Sequence, residues 1–118
     1  VVEPDILEGT IDVKEALSHL HDNSVLFVDL RETLERKRMG FIPGSLHTPY
    51  LNLEQAIGDG GLLIGMLKEL GTSVVLYCAY GERSALALKM VKEKGFLDAR
   101  HLGGGMDKWT GAGAPTSF

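Results

Sequence analysis

The segment Cys78-Ala79-Tyr80-Gly81-Glu82-Arg83-Ser84 places the single cysteine of the chain beside a glycine, an arginine and a hydroxyl. It follows an apolar run of strand length and precedes a helical pattern, so Cys78 falls near a helix N-terminus. Unpaired backbone N–H groups and the positive end of the helix dipole favour an anion there. A thiolate is such an anion, and settings of this kind lower a cysteine pKa to roughly 3.5–7.5. Gly81 lets the backbone curl so that several N–H groups converge on the sulfur. Arg83 opposes the dipole in the first helical turn, which an arginine that holds an incoming anion would explain. The plainer alternatives are a buried apolar cysteine at a strand end and a solvated surface arginine.

Two strands and a helix must position that loop. Val25–Val28, ending at Asp29, and Val74–Tyr77, ending at Cys78, are short continuous apolar runs. Such runs suit central strands of a parallel sheet covered on both faces. Helices are expected over 12–21, where Asp12 and Glu15 form a capping-box pair, and near 32–39, 52–57, 62–70 and 83–94. Short strands are expected over 45–47 and 99–102, and a last helix runs through Trp109 after Gly103-Gly104-Gly105. Residues 1–9 read as a poorly patterned lead-in. The alternation predicts a three-layer α/β/α domain, with ligands outside the carboxyl ends of the strands. Both Asp29 and Cys78 lie at such ends.

The 118 residues, 44% of them apolar, suit one soluble domain over 1–118 with its core at about 10–115. A net charge of −4 argues against nucleic acid as partner. No apolar run approaches the ~20 residues of a spanning helix, so no membrane association is expected. One cysteine allows neither an internal disulfide nor a thiolate zinc site. The chain starts at Val1 without a signal-like segment; a cytoplasmic location is expected, with the periplasm left open.

Cys78–Ser84, Ala87, Gly95-Phe96 and Leu102-Gly-Gly-Gly-Met-Asp-Lys-Trp109, preceded by Val28-Asp29-Leu30-Arg31-Glu32 and Ile42-Pro43-Gly44-Ser45, stand in an order and spacing that resembles the rhodanese family over about residues 10–115. The resemblance implies a central five-stranded parallel sheet and a thiosulfate sulfurtransferase-like activity. Cys78 would accept sulfane sulfur as a persulfide and pass it on by double displacement. N–H groups from Ala79 to Ser84 would cradle the outer sulfur. No metal, nucleotide or flavin is implied. The donor would be thiosulfate or a persulfide, and the acceptor a thiol, cyanide or a protein. Asp29 and Arg31 match the family's Asp-x-Arg signature and read as structural. They could pair with each other, with a neighbouring loop, or with the turn near 103–105. Gly104 and its neighbours would permit close backbone approach to the loop, and Trp109 would anchor the core. His47 and His101 read as structural or surface residues, Glu35 as a helix-face acid, and Arg36-Lys37-Arg38 as a solvated helix face.

Some features depart from the family pattern. Gly40-Phe41-Ile42-Pro43-Gly44 replaces the commoner Gly-His-Ile-Pro-Gly. Ala79, Tyr80 and Glu82 stand where thiosulfate enzymes present extra cations, and the Glu82 charge would repel a dianionic donor. Thiosulfate is therefore expected to be a surrogate. The rival readings are a binding or regulatory module on the same fold, and a phosphatase or arsenate reductase. The latter needs Cys-x5-Arg to wrap an oxyanion, whereas Cys78 to Arg83 is Cys-x4-Arg.

Overall fold

A computed structural model of the chain describes residues 9–118. The elements run β1 (Thr10–Ile11), α1 (Val13–Ser18), β2 (Val25–Asp29), α2 (Thr33–Met39), β3 (Leu46–His47), a 3-10 turn into α3 (Leu53–Ala56), α4 (Leu62–Leu70), β4 (Ser73–Tyr77), α5 (Glu82–Glu93), β5 (Arg100–Leu102) and α6 (Gly105–Gly111). The five strands form one parallel sheet in the order β1-β5-β4-β2-β3. The expected α/β/α class with a five-stranded parallel sheet is the observed one. No helix among the described residues is long and apolar enough to cross a membrane.

Two differences from expectation have local causes. Thr10–Ile11 is an edge strand of two residues against β5, too short to show a period. Helix α1 stops at Ser18 instead of 21, because the following N–H groups of His19 and Leu20 bond three residues back and tighten the last turn. Its start is as expected, with Asp12 accepting from the Glu15 N–H at 2.8 Å.

Alternation along β4 sorts the core. Val74, Leu76 and Cys78 join an apolar cluster with α3, α4 and α5, whereas Val75 and Tyr77 point to the opposite face, with Trp109 and Met106 of α6 and Ala16 of α1. Side chains of successive strand residues face opposite sides, so the same step that sends Cys78 toward α5 sends Tyr77 the other way. Trp109 is wholly buried and donates its indole N–H to Pro115 O at 2.7 Å.

A buried polar cluster closes the C-terminal end of β2. The fully buried Asp29 carboxylate accepts from the Arg31 backbone N–H (3.0 Å), Arg31 Nε (3.0 Å) and Nη2 (2.9 Å), Arg36 Nη1 (3.1 Å) and the Tyr77 hydroxyl (3.0 Å). Arg31 also donates to Gly40 O at 2.6 Å. Of the alternatives for this pair, the mutual ion pair and the neighbouring loop are realised; the bonds of Arg31 run to Asp29 and residue 40, not to the turn at 103–105. Arg36 is not part of a solvated face. It reaches Ser45 O at 3.0 Å and stacks over the Phe41 ring at 4.0 Å. Helix α2 buries none of its own residues, so these bonds, with the Glu32/Glu35 capping box, hold it.

Burial acts to raise the Asp29 pKa, but the bonds and charge of Arg31 and the Tyr77 hydroxyl outweigh it, and the net displacement is downward. Burial, aided by the Asp29 charge, pushes Tyr77 up to about 12, so its phenol stays protonated and donates. A carboxyl depressed in the fold adds stability that is present above its unfolded pKa, ~3.9, and lost as pH falls through the folded value. Asp29→Asn leaves the Arg31 charge buried without its counterion and is expected to cost about 3–5 kcal/mol. Urea titrations across acid pH should show this loss near neutrality and a flatter decline below pH ~4 than in the wild type.

Candidate active site

Cys78 leaves the carboxyl end of β4, the middle strand, and enters a turn that becomes α5. Gly81 adopts φ +109°, a conformation that side-chain-bearing residues rarely take, and caps the helix. The curl brings two N–H groups onto the sulfur: Gly81 N lies 3.1 Å and Ser84 N 3.4 Å from Sγ. Of the loop N–H groups expected to cradle a persulfide's outer sulfur, those of Gly81 and Ser84 already face Sγ in the resting loop. Ala79 instead offers its carbonyl to the Asp107 N–H at 3.0 Å, Tyr80 is largely exposed, and Glu82 points to solvent.

A hydroxyl and an imidazole lie behind the sulfur. Cys78 Sγ is 3.6 Å from Ser84 Oγ, which is 2.8 Å from His101 Nδ1, and His101 Nε2 is 3.0 Å from Thr10 Oγ1. Ser84 and His101 are fully buried. His101 therefore sits next to the residue that touches the sulfur. The period of the sequence places it on a strand but cannot reveal that contact. His47 belongs to the support of α2, with Nε2 2.7 Å from Arg31 O.

Arg83 is not a free anion holder. Its Nη1 and Nη2 each lie 2.9 Å from a different oxygen of Glu35, a bidentate pair that joins α5 to α2. The Glu35 bond raises the Arg83 pKa above its ordinary value, opposed by burial and assisted by the nearby Cys78 sulfur. The Arg83 bond holds Glu35 below the usual carboxylate range against a smaller opposing effect of burial. Glu35 was expected to be only a helix-face acid. The difference arises because its partner is 48 residues away in the sequence. The acid with a direct hold on the loop is thus Glu35, not Glu82.

The glycine that touches the loop is Gly105 rather than Gly104. A Cβ on Gly105 would collide with Cys78 O and lie 2.7 Å from the Ala79 carbonyl atoms, whereas one on Gly104 would meet only the flexible Lys108 side chain. The closeness is needed because Met106 N donates to Cys78 O at 2.8 Å, docking the start of α6 on the loop.

The Cys78 side chain has no exposed surface. Beside its loop, between α2 and α6, opens a cavity of about 330 Å³ lined among others by Leu34, Glu35, Met39, Tyr80 and Met106. Its dimensions are at the lower end for small-molecule sites.

A family model described as the rhodanese-like domain matches residues 12–112. The chain belongs to this family. A mouse (Mus musculus) protein, thiosulfate sulfurtransferase/rhodanese-like domain-containing protein 3, is 27% identical over 84% of the chain, and the match spans 66% of that protein, just under two thirds of its length. The thiosulfate:glutathione sulfurtransferase of Saccharomyces cerevisiae is 31% identical over 79% of the chain and 70% of its own. Among solved structures, a protein of unknown function from Rhodopseudomonas palustris, described as a possible tyrosine phosphatase, superposes with a TM-score of 0.82 at 32% identity, covering 91% of this chain and 83% of that one. This rhodanese-like domain thus has sulfurtransferase relatives and a structural neighbour described as a possible phosphatase.

Gly105→Ala in this rhodanese-like domain combines φ +58° with the collision against Cys78 O. It is expected to lower stability by more than the roughly 1–2 kcal/mol of a left-handed side-chain-bearing residue. Gly65→Ala, in the middle of α4 with open space around it, should instead stabilise by about 0.5–1 kcal/mol. Thermal melts of the two variants check both.

Proposed function

We propose that this domain is a sulfurtransferase that carries one sulfane sulfur as a persulfide on Cys78. The observation that supports the reading most is the pair of N–H groups, from Gly81 and Ser84, directed at Sγ. They stabilise a sulfur anion and impose no requirement for a metal or organic cofactor. Sulfurtransferase relatives point the same way.

In the first half-reaction the Cys78 thiolate attacks the outer sulfur of the donor. The donor S–S bond breaks, and its electron pair departs with sulfite or a thiolate, leaving Cys78–S–S⁻. In the second, an acceptor thiolate or cyanide attacks that outer sulfur, and the electron pair returns to Cys78. Donor and acceptor use the same sulfur in turn, which one small cradle can serve. Ser84 can donate its hydroxyl proton toward an anionic sulfur or accept the S–H of the thiol, with His101 next in line.

The Rhodopseudomonas structure favours a second reading, hydrolysis of a phosphate ester. Against it, the loop is Cys-x4-Arg and Arg83 is bound bidentately by Glu35, so it does not stand ready to clamp an oxyanion.

Intact-mass measurement after incubation with thiosulfate or an organic persulfide should show one adduct of about 32 Da, the mass of a sulfur atom. The adduct should disappear with cyanide and be absent in Cys78→Ser. No adduct from any donor contradicts sulfur transfer. Hydrolysis of an aryl phosphate, abolished by Cys78→Ser, would favour the phosphatase reading instead.

A further inference from the structure

We propose that Glu35 is a specificity-determining residue of the Cys78 site, directing it to sulfane-sulfur donors that carry a carbon framework and little charge. This inference rests on the sulfurtransferase reading above.

Arg83 is the cation of the Cys78 loop, and its two terminal nitrogens are both committed to Glu35. An inorganic dianion that uses Arg83 must share it with the Glu35 carboxylate and accept that negative charge as its neighbour. Both partners are about one third exposed, at 31% and 34%, so the pair is open to exchange at the surface while Cys78 beneath has no exposure. Glu35 is also fixed from its other side, accepting the Glu32 N–H at 2.7 Å. It cannot swing away without uncapping α2.

The same carboxylate lines the cavity beside the loop. Three large apolar side chains, otherwise costly to leave in water, surround the mouth: Leu34, Met39 and Tyr80 are 63%, 58% and 62% exposed. Arg38 and Asp107 add one charge of each sign to that wall, and Arg31, which also lines it, is paired with Asp29. The cavity thus offers apolar surface and little net charge to a donor, while Glu35 neutralises the charge nearest the sulfur. An organic donor with at most one negative charge matches that arrangement better than an inorganic dianion. Its carbon part covers the apolar wall and its outer sulfur reaches Cys78 from the Ala79 side.

Benzenethiosulfonate and thiosulfate form a suitable probe pair. In each case the thiolate of Cys78 forms a bond to the outer sulfur, the bond from that sulfur to the sulfonyl sulfur breaks, and its electron pair leaves with benzenesulfinate or sulfite. The probes differ in one charge and a phenyl ring. The experiment measures kcat/KM of the full chain for both, with cyanide as acceptor, in the wild type, Glu35→Gln, Arg83→Met and the double variant. Glu35→Gln keeps an acceptor for the Glu32 N–H and removes the charge. It should raise kcat/KM for thiosulfate relative to benzenethiosulfonate by about three- to ten-fold. The gain should vanish in the double variant, because it acts through Arg83. Leu34→Ser, at an exposed position, should lower kcat/KM for benzenethiosulfonate several-fold more than for thiosulfate.

An unchanged donor ratio in Glu35→Gln, with Cys78 still loaded by both probes, overturns the inference and leaves the sulfurtransferase reading standing. A gain that persists without Arg83 also overturns it, since Glu35 would then act by charge alone. Failure of both probes to load the wild type sinks the functional reading, and the inference with it.

Discussion

The buried Asp29 carboxylate is the contact on which the functional end of the molecule depends. Five hydrogen bonds converge on it from β2's own continuation, α2 and β4. Through Arg31 and Arg36 it fixes residues 40 and 45, and through Tyr77 it grips the strand that ends at Cys78. A carboxylate can be kept charged at zero exposure only with this density of donors. Helix α2, which has no buried side chain, takes its position from the same cluster. Glu35 therefore reaches Arg83 because Asp29 holds the helix that carries it.

The site is assembled from elements of different rigidity. β4 is paired on both sides and fixes the start of the loop. The first residues of α6 clamp the Cys78 and Ala79 carbonyls from behind, and only Gly105 leaves room for that clamp. On the open side, an ion pair about one third exposed and a groove with apolar walls face solvent. A rigid cradle with a yielding mouth fits a reaction in which two different molecules reach one sulfur in turn.

Features encoded in adjacent residues were legible in the sequence. The apolar runs at 25–28 and 74–77 gave two central strands, and helix α4 spans the expected 62–70. The strand-to-glycine-to-helix order around Cys78 located the loop, since each local preference there agrees with the fold. Pairings over long sequence distances were not legible. Glu35 and Arg36 look like solvated helix positions until the fold brings Arg83, Asp29 and Ser45 to them. The choice of Gly105 over Gly104 depends on which backbone passes nearest, and three consecutive glycines cannot encode that. Thr10–Ile11 is too short to carry a period at all.

Whether the loop N–H groups hold a sulfur transferred to Cys78 is visible in a crystal structure of protein treated with a sulfur donor and kept free of acceptor. Continuous density is expected for one extra sulfur bonded to Sγ and accepting hydrogen bonds from the loop backbone, including the Ser84 N–H. An unmodified Cys78 in fully donor-treated crystals, with an intact oxyanion held at Arg83, would contradict sulfur transfer to Cys78.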